Sequence, residues 1–557
     1  MATIRATTAP LVTHDVLNQP PPLSGRNLFE DNAPLVEALD REGAGWAAER
    51  AREVGAFWGG EPYAVWGERA NTHPPVLRTH DRYGNRIDEV DFDPAWHQLM
   101  TASVRDELHA LPWRTDRAGG HTARAAMYIT AIQAEAGFAC PTTMTYAAIP
   151  ALRMQPELAA EWEPLLTATT YDPELRPAGE KGSALCGMAM TEKQGGSDVR
   201  ANTTTATPLN GGGPGAEYEI IGHKWFCSAP MSDLFLILAQ TDEGLSCFAL
   251  PRVLPDGSRN AMRVQRLKDK LGNRSNASSE VEYHGAIARM VGEPGRGVPT
   301  IIEMVGHTRL DCILGTAAGM RRGVAEATWH AAHRSAFGKV LSDQPLMQNV
   351  LADLALEAEA TTALAMRMAR AYDAAEDDPA EAHLKRLGTA IGKYYVCKRA
   401  PQHAFEALEC FGGVGFVEES GMPRLYREAP LASIWEGSGN VMALDVLRAL
   451  SRTPEALEAY FAEIDLAAGA DQRFDAFADD VRAEFSDMDQ VESRARRIVE
   501  KMAKALEGSL LVRHAPPAVA DAFCASRLAG DAGLNYGTLP ASADIAAIVD
   551  RHTPATA

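Results

Sequence analysis

The hydrophobic period changes twice along this 557-residue chain, and that change limits the folds open to it. From about residue 46 to 170 apolar side chains recur at helical spacing, as in Trp46, Val54, Phe57 and Trp58. From about 183 to 290 they alternate or cluster in short runs, as strands do. Ser183 to Met190, Ala216 to Trp225, Leu234 to Ala239, Cys247 to Leu250 and Ser279 to Tyr283 read as strands, with the glycine-heavy loop Asn210 to Gly215 as a hairpin connection. From Val298 the helical period returns in long amphipathic runs, Val298 to His333, Leu346 to Tyr372, Leu384 to Phe411 and Val441 to Leu450. The expected fold class is mainly α with a central β domain. It divides into an N-terminal arm and α domain (1–182), a β domain (183–292), a helical bundle (293–450) and a C-terminal helical extension (451–557). Within the first block, Ala123 to Cys140 reads as one helix ended by Pro141, and Leu158 to Thr169 as another. The arm, with Pro20-Pro21-Pro22, reads equally as a frayed terminus or as a strap on a neighbouring subunit.

Composition enters as exclusion. A net charge of −20 argues against a protein given over to nucleic acid or anionic membranes. No apolar run reaches about 18 residues and the N-terminus has no apolar signal region, so neither a span nor a leader is expected. Eight scattered cysteines without a C-x-x-C pair point to reduced thiols and a cytoplasmic setting, and no metal site is expected, His330 and His333 lacking a third ligand.

Three stretches carry chemistry. Ser433-Ile434-Trp435-Glu436-Gly437-Ser438-Gly439-Asn440 sets a carboxylate between an aromatic ring and a glycine turn, at the start of a helix whose N–H groups face outward; a solvated helix start is the plainer reading. Met188 to Ser197 is a strand ending in a hydroxyl, an acid and two glycines. Trp225-Phe226-Cys227-Ser228 ends another strand with aromatics and a hydroxyl that could flank a flat ring. Phe411-Gly412-Gly413-Val414-Gly415-Phe416 follows a helix, so it is no dinucleotide loop, which needs a strand before it.

In this order the motifs resemble those of the acyl-CoA dehydrogenase family. Met190-Thr191-Glu192 through Gly196-Ser197-Asp198 resembles its first flavin loop and Lys224 to Ser228 its second flavin strand. Arg334-Ser335-Ala336-Phe337-Gly338-Lys339, the Phe411 to Phe416 turn and Ile434 to Ser438 resemble three further family motifs. The wording of these stretches, the long N-terminal block and the tail are most similar to the DNA-alkylation-response (AidB-like) branch.

The resemblance implies FAD between the β domain and the bundle, touched by Met188, Met190, Thr191, Gly196, Ser197, Trp225, Phe226, Ser228, Ile434, Trp435, Gly437, Ser438, Gly439 and Asn440. Whether Cys227 or Ser228 meets the flavin is left open. Arg334, Phe337, Gly412 and Gly413 would reach the cofactor of a neighbouring subunit in a homotetramer (a dimer of dimers), although Glu409 stands where relatives often carry Gln. Glu436 is the implied base for α,β-dehydrogenation of an acyl-CoA or similar thioester, with electrons passed to a further acceptor. Thr308 occupies the position at which some relatives carry the base instead. Two readings compete: an alkylation-protective flavoprotein that binds double-stranded DNA, and an oxidase. The tail from Val446 holds 12 Lys/Arg against 18 Asp/Glu, yet Arg494, Arg497, Lys501 and Lys504 form one basic helical stripe, the candidate DNA contact; a solvated face is the plainer reading.

Overall fold

The computed structural model describes residues 13–486 and 489–554. In the N-terminal block, a short hairpin, β1 (Val76–His80) and β2 (Arg86–Asp91), interrupts the helices and was not expected from the sequence. The stretch read as one helix over Ala123 to Cys140 is two, α1 (Gly120–Ile132) and α2 (Ala139–Leu152). Glu135 makes the break: its carboxylate accepts from the N–H groups of Gly137 (2.7 Å) and Phe138 (3.1 Å) at the start of the second helix. Pro141 therefore lies in a first turn, where proline costs no hydrogen bond, instead of ending a helix.

The β domain holds β3 (Cys186–Ala189), β4 (Thr205–Pro208), β5 (Glu217–Ser228), β6 (Leu234–Thr241), β7 (Gly244–Pro251), β8 (Met262–Leu267) and β9 (Ser278–Val291). β9 pairs with β5 along one edge and with β8 and then β7 along the other. β6 pairs with β7 on one side and with β3 and β4 on the other, so β4, β5, β9, β7 and β6 close into a barrel. β4 and β8 escape the sequence pattern because both are short and largely exposed on one face.

The bundle follows: α3 (Gly297–His333), α4 (Pro345–Ala374), α5 (Pro379–Glu409) and α6 (Gly439–Arg452). Pro345 and Pro379 open helices, consistent with proline's preset φ at the first turn. In the extension, α7 (Gln472–Ala483) packs on α8 (Val491–His514), and α8 packs on the bundle, with Ile498, Met502 and Leu506 buried in the same core as α4 and α5. Arg124 and Asp311 lock the α domain to α3 through two bonds of 2.6–2.7 Å, both side chains almost fully buried. The arm lies on its own chain. Asn18 exchanges two 2.8 Å bonds with Ser335, its carbonyl accepts from Arg334, and Pro21 O accepts from Trp329. No helix among the described residues is long and apolar enough to cross a membrane.

Candidate active site

The site forms where α2, β3, β6 and the first turns of α3 share an apolar cluster containing Met188, Cys140 and Met304, against which Met190 and Trp435 pack. Two of the sequence stretches are tied by backbone: the Trp225 N–H donates to Thr191 O at 2.8 Å. The loop between Thr191 and Ser197 is held from within. Glu192 is fully buried and receives Lys224 Nζ (2.8 Å), the Thr203 N–H (2.7 Å) and the Thr204 N–H (3.1 Å). Burial alone would raise its pKa, but these donors, Lys224 foremost, hold the carboxyl far below the usual range. A Cβ on Gly196 would run into the Thr191 side chain, so the loop closes this tightly only with glycine there. Ser197 is exposed, Trp225 and Ser228 are half-buried, and Phe226 is half exposed, with the Lys268 ammonium 3.7 Å above the Trp225 ring.

Cys227 and Ser228 are separated by the pleat. Cys227 is sealed in the barrel core, while Ser228 lies on the other face with its hydroxyl 3.3 Å from that of Ser278. Burial pushes the Cys140 thiol up to about 11, with the neighbouring Ser228 hydroxyl pulling it down and the Glu436 charge adding to the rise.

Glu436 has a left-handed backbone, φ +57°, uncommon for a residue with a side chain and frequent at functional turns. The residue is part-buried overall, yet Oε2 is closed off from solvent and has no hydrogen-bond partner among the described residues. Burial raises its pKa, while the nearby Thr308 hydroxyl and the charges of Arg309 and Lys393 pull it down. The Thr308 hydroxyl itself donates to Val305 O at 3.0 Å, so it does not consume the Glu436 oxygen. The turn is fixed from behind. Arg309 Nε donates to Glu436 O (3.0 Å), Arg309 and Arg386 share Asp445, and Lys393 Nζ donates to Gly437 O. At Gly437, φ +110°, a Cβ would lie 2.6 Å from Met442 Cε. Ser438, the residue before α6, makes no side-chain cap, so the N–H groups of Gly439 and Asn440 have no cap from it. Lys393, Asp445 and Arg386 carried no local signal; each lies on a helix read only as amphipathic.

Lys393 bears directly on the charge of Glu436. If Glu436 acts as a base it must be ionised to accept a proton, and activity is then expected to rise with pH through its pKa. Lys393→Met removes a cation that lowers that pKa, so the pH–rate profile is expected to move to higher pH, and Lys393→Arg to restore it. A profile that stays put, or moves down, would show that the charge is not felt at Glu436.

The remaining site residues form a second group. The His330 ring stacks on Phe411 with centroids 4.2 Å apart, which brings Gly412 and Gly413 to the end of α3, beside Arg334 and Phe337. Thr308 and Arg334 stand 26 residues apart on that helix, about 39 Å at 1.5 Å per residue. Phe337 (99% exposed, φ +54°) and Phe416 (84%) stand bare at this end.

The basic stripe on α8 is largely neutralised. Arg494 (2.8 Å), Arg497 (3.1 Å) and Lys501 (2.6 Å) all converge on Glu484, and Lys504 pairs with Glu500. Exchanging all four for glutamine is expected to leave retention on duplex DNA at physiological salt unchanged; a marked loss would reinstate the stripe as a phosphate contact.

A helical α domain, a small barrel and a long-helix bundle meeting at a buried carboxylate are the architecture of the acyl-CoA dehydrogenases. Residues 18–173 match the family of the adaptive response protein AidB N-terminal domain, 187–286 the acyl-CoA dehydrogenase middle domain and 295–451 the acyl-CoA dehydrogenase C-terminal domain. The chain belongs to the acyl-CoA dehydrogenase family, in its AidB branch. It is 46% identical over 517 residues to the putative acyl-CoA dehydrogenase AidB of Escherichia coli (strain K12), covering 92% of this chain and 94% of that one. Caenorhabditis elegans ACDH-11, solved in complex with C11-CoA, superposes with a TM-score of 0.84 at 25% identity over 95% of both chains. An acyl-CoA dehydrogenase of Bacillus anthracis complexed with FAD shares the fold, with a TM-score of 0.61 at 18% identity over 78% of this chain and 77% of that one.

Proposed function

We propose that this protein is an FAD-dependent dehydrogenase that desaturates an acyl-CoA thioester between its α and β carbons, with Glu436 as the base. The observation that carries this reading is the buried, unpartnered Glu436 oxygen beside Trp435, held in place through its own backbone carbonyl and that of Gly437. The relatives solved with C11-CoA and with FAD support the substrate class and the cofactor. The fit to FAD rests on the cradle: the tight turn at Gly196, the tie between Thr191 and Trp225, and the uncapped start of α6. Thr191, Ser228, Trp435, Ser438 and Asn440 would hold the cofactor. When bound, FAD supplies the acceptor for the β-hydride. Glu436 takes the α-proton, Trp435 and the Met188 cluster exclude water, and the backbone strain at Glu436 fixes the direction from which the carboxylate approaches.

The distance along α3 bears on assembly. One flavin dinucleotide is not expected to reach from the Glu436 turn beside Thr308 to a group of residues about 39 Å further along the helix. Arg334, Phe337, Gly412 and Gly413 therefore serve the cofactor of a second copy, and the bare Phe337 and Phe416 rings are suited to being covered there, in a homotetramer. All eight cysteines are buried and unpaired, which fits a reducing cytoplasm. Anaerobic mixing of the FAD-loaded protein with a panel of acyl-CoAs tests the reading: at least one is expected to bleach the flavin, and bleaching by none would sink it.

A further inference from the structure

Beyond Trp435 a cavity of about 110 Å³ follows α3 from Cys312 to Arg322. Those ten residues span about 15 Å of helix. Small residues keep it open: a Cβ on Gly315 would meet nothing within 4 Å, and one on Gly319 would first meet Leu425 at 3.9 Å. At one end the cavity is lined by Cys312 and by Trp435, the residue next to Glu436.

The far end is not built for a methyl group. Arg322 and Arg424 line it together. Arg322 spends Nη1 on the carbonyls of Gln133 (3.0 Å) and Ala134 (3.4 Å) and has Glu326 only at 4.0 Å; Arg424 makes one 3.4 Å bond, to Ala134 O. Asn273, 3% exposed, also lines this end; its Oδ1 accepts from Asn276, and its Nδ2 makes no hydrogen bond among the described residues. His403, 1% exposed, donates its Nε2–H to Leu354 O, so its neutral ring presents Nδ1 as an acceptor and adds no donor here. The two acids are already engaged. Glu135 accepts from Gly137, Phe138, Asn71 and Ser275, and both oxygens of Glu428 accept from the Asn273 N–H. Burial, and then the Glu135 charge, push Glu428 up to about 7. The balance at this end is a surplus of guanidinium and amide N–H donors, which an alkyl terminus would leave without a protein partner.

We propose that the acyl group accepted here carries an oxygen acceptor, a hydroxyl or a carboxyl, at its distal end, roughly ten carbons from the thioester, and that Arg322, Arg424 and Asn273 receive it. A guanidinium pair suits a carboxylate best, and an amide N–H serves either oxygen. The proposal rests on the acyl-thioester reading of the Glu436 site. The test titrates the FAD-loaded full-length protein anaerobically with decanoyl-CoA, 10-hydroxydecanoyl-CoA and the mono-CoA thioester of decanedioic acid, reading half-saturation from the flavin spectrum. One of the two oxygenated thioesters is expected to bind at least tenfold more tightly than decanoyl-CoA, with that ratio falling below threefold in Arg424→Met. Asn273→Ala is expected to lower the same ratio and stands in if Arg424→Met does not take up flavin. A ratio below tenfold in the unaltered protein, or one that survives both substitutions, overturns the proposal while bleaching by decanoyl-CoA keeps the dehydrogenase reading. If no thioester perturbs the flavin, both fall together.

Discussion

Replacing Glu436 with glutamine is expected to leave FAD in place and to slow bleaching by acyl-CoA by roughly 10²–10⁴-fold, the contribution of a positioned general base. The substitution keeps the shape and volume of the side chain and removes only its ability to take a proton. The turn survives because it is anchored by main-chain carbonyls: Arg309 binds Glu436 O and Lys393 binds Gly437 O, neither through the carboxylate. Spectra of bound flavin report retention of the cofactor, and anaerobic stopped-flow mixing reports the chemistry. Thr308, where some relatives carry the base instead, has only a hydroxyl, and that hydroxyl is spent on Val305 O. Bleaching at an unchanged rate would place the base on another residue.

The second large effect concerns a residue that does no chemistry. Lys224→Met is expected to destabilise the protein by about 3–5 kcal/mol, because it leaves the Glu192 carboxylate buried without its counter-charge. Both side chains are fully enclosed, with Nζ and Oε1 2.8 Å apart. The loss falls on the loop from Thr191 to Ser197, since Glu192 also collects the N–H groups of Thr203 and Thr204 and so ties that loop to the barrel. Flavin release, followed by its fluorescence on heating, should therefore move to lower temperature in step with unfolding. Combining Lys224→Met with Glu192→Gln should recover much of the loss, since the uncompensated charge is gone. A single substitution that leaves the release temperature unchanged would show the pair to be dispensable.

Much of this site was legible as sequence. The Glu436 turn, the Thr191 loop and the strand ending at Ser228 have chemistry in adjacent residues, and adjacency survives folding. The pleat then separated Cys227 from Ser228, a distinction that depends on which face of β5 meets the barrel core. What was not legible depends on contacts between distant segments. Lys393 and Asp445 are ordinary helix residues until α3, α5 and α6 bring them behind the turn. The basic stripe on α8 reads as four exposed cations until Glu484, the residue after α7, comes beside it. The break between α1 and α2 is likewise set by one buried carboxylate capping two N–H groups, which outweighs the alanine-rich helical signal on either side.

The length of α3 has a consequence for handling the protein. In the shared-site assembly proposed above, part of each cofactor site lies at the far end of a 37-residue helix, and the flavin pocket would be complete only while subunits stay together. Cofactor retention would then follow mass action in the protein itself: on dilution below the assembly constant, flavin is expected to leave before the chain unfolds. The concentration of enzyme in an assay thus becomes a variable of the same standing as the concentration of substrate.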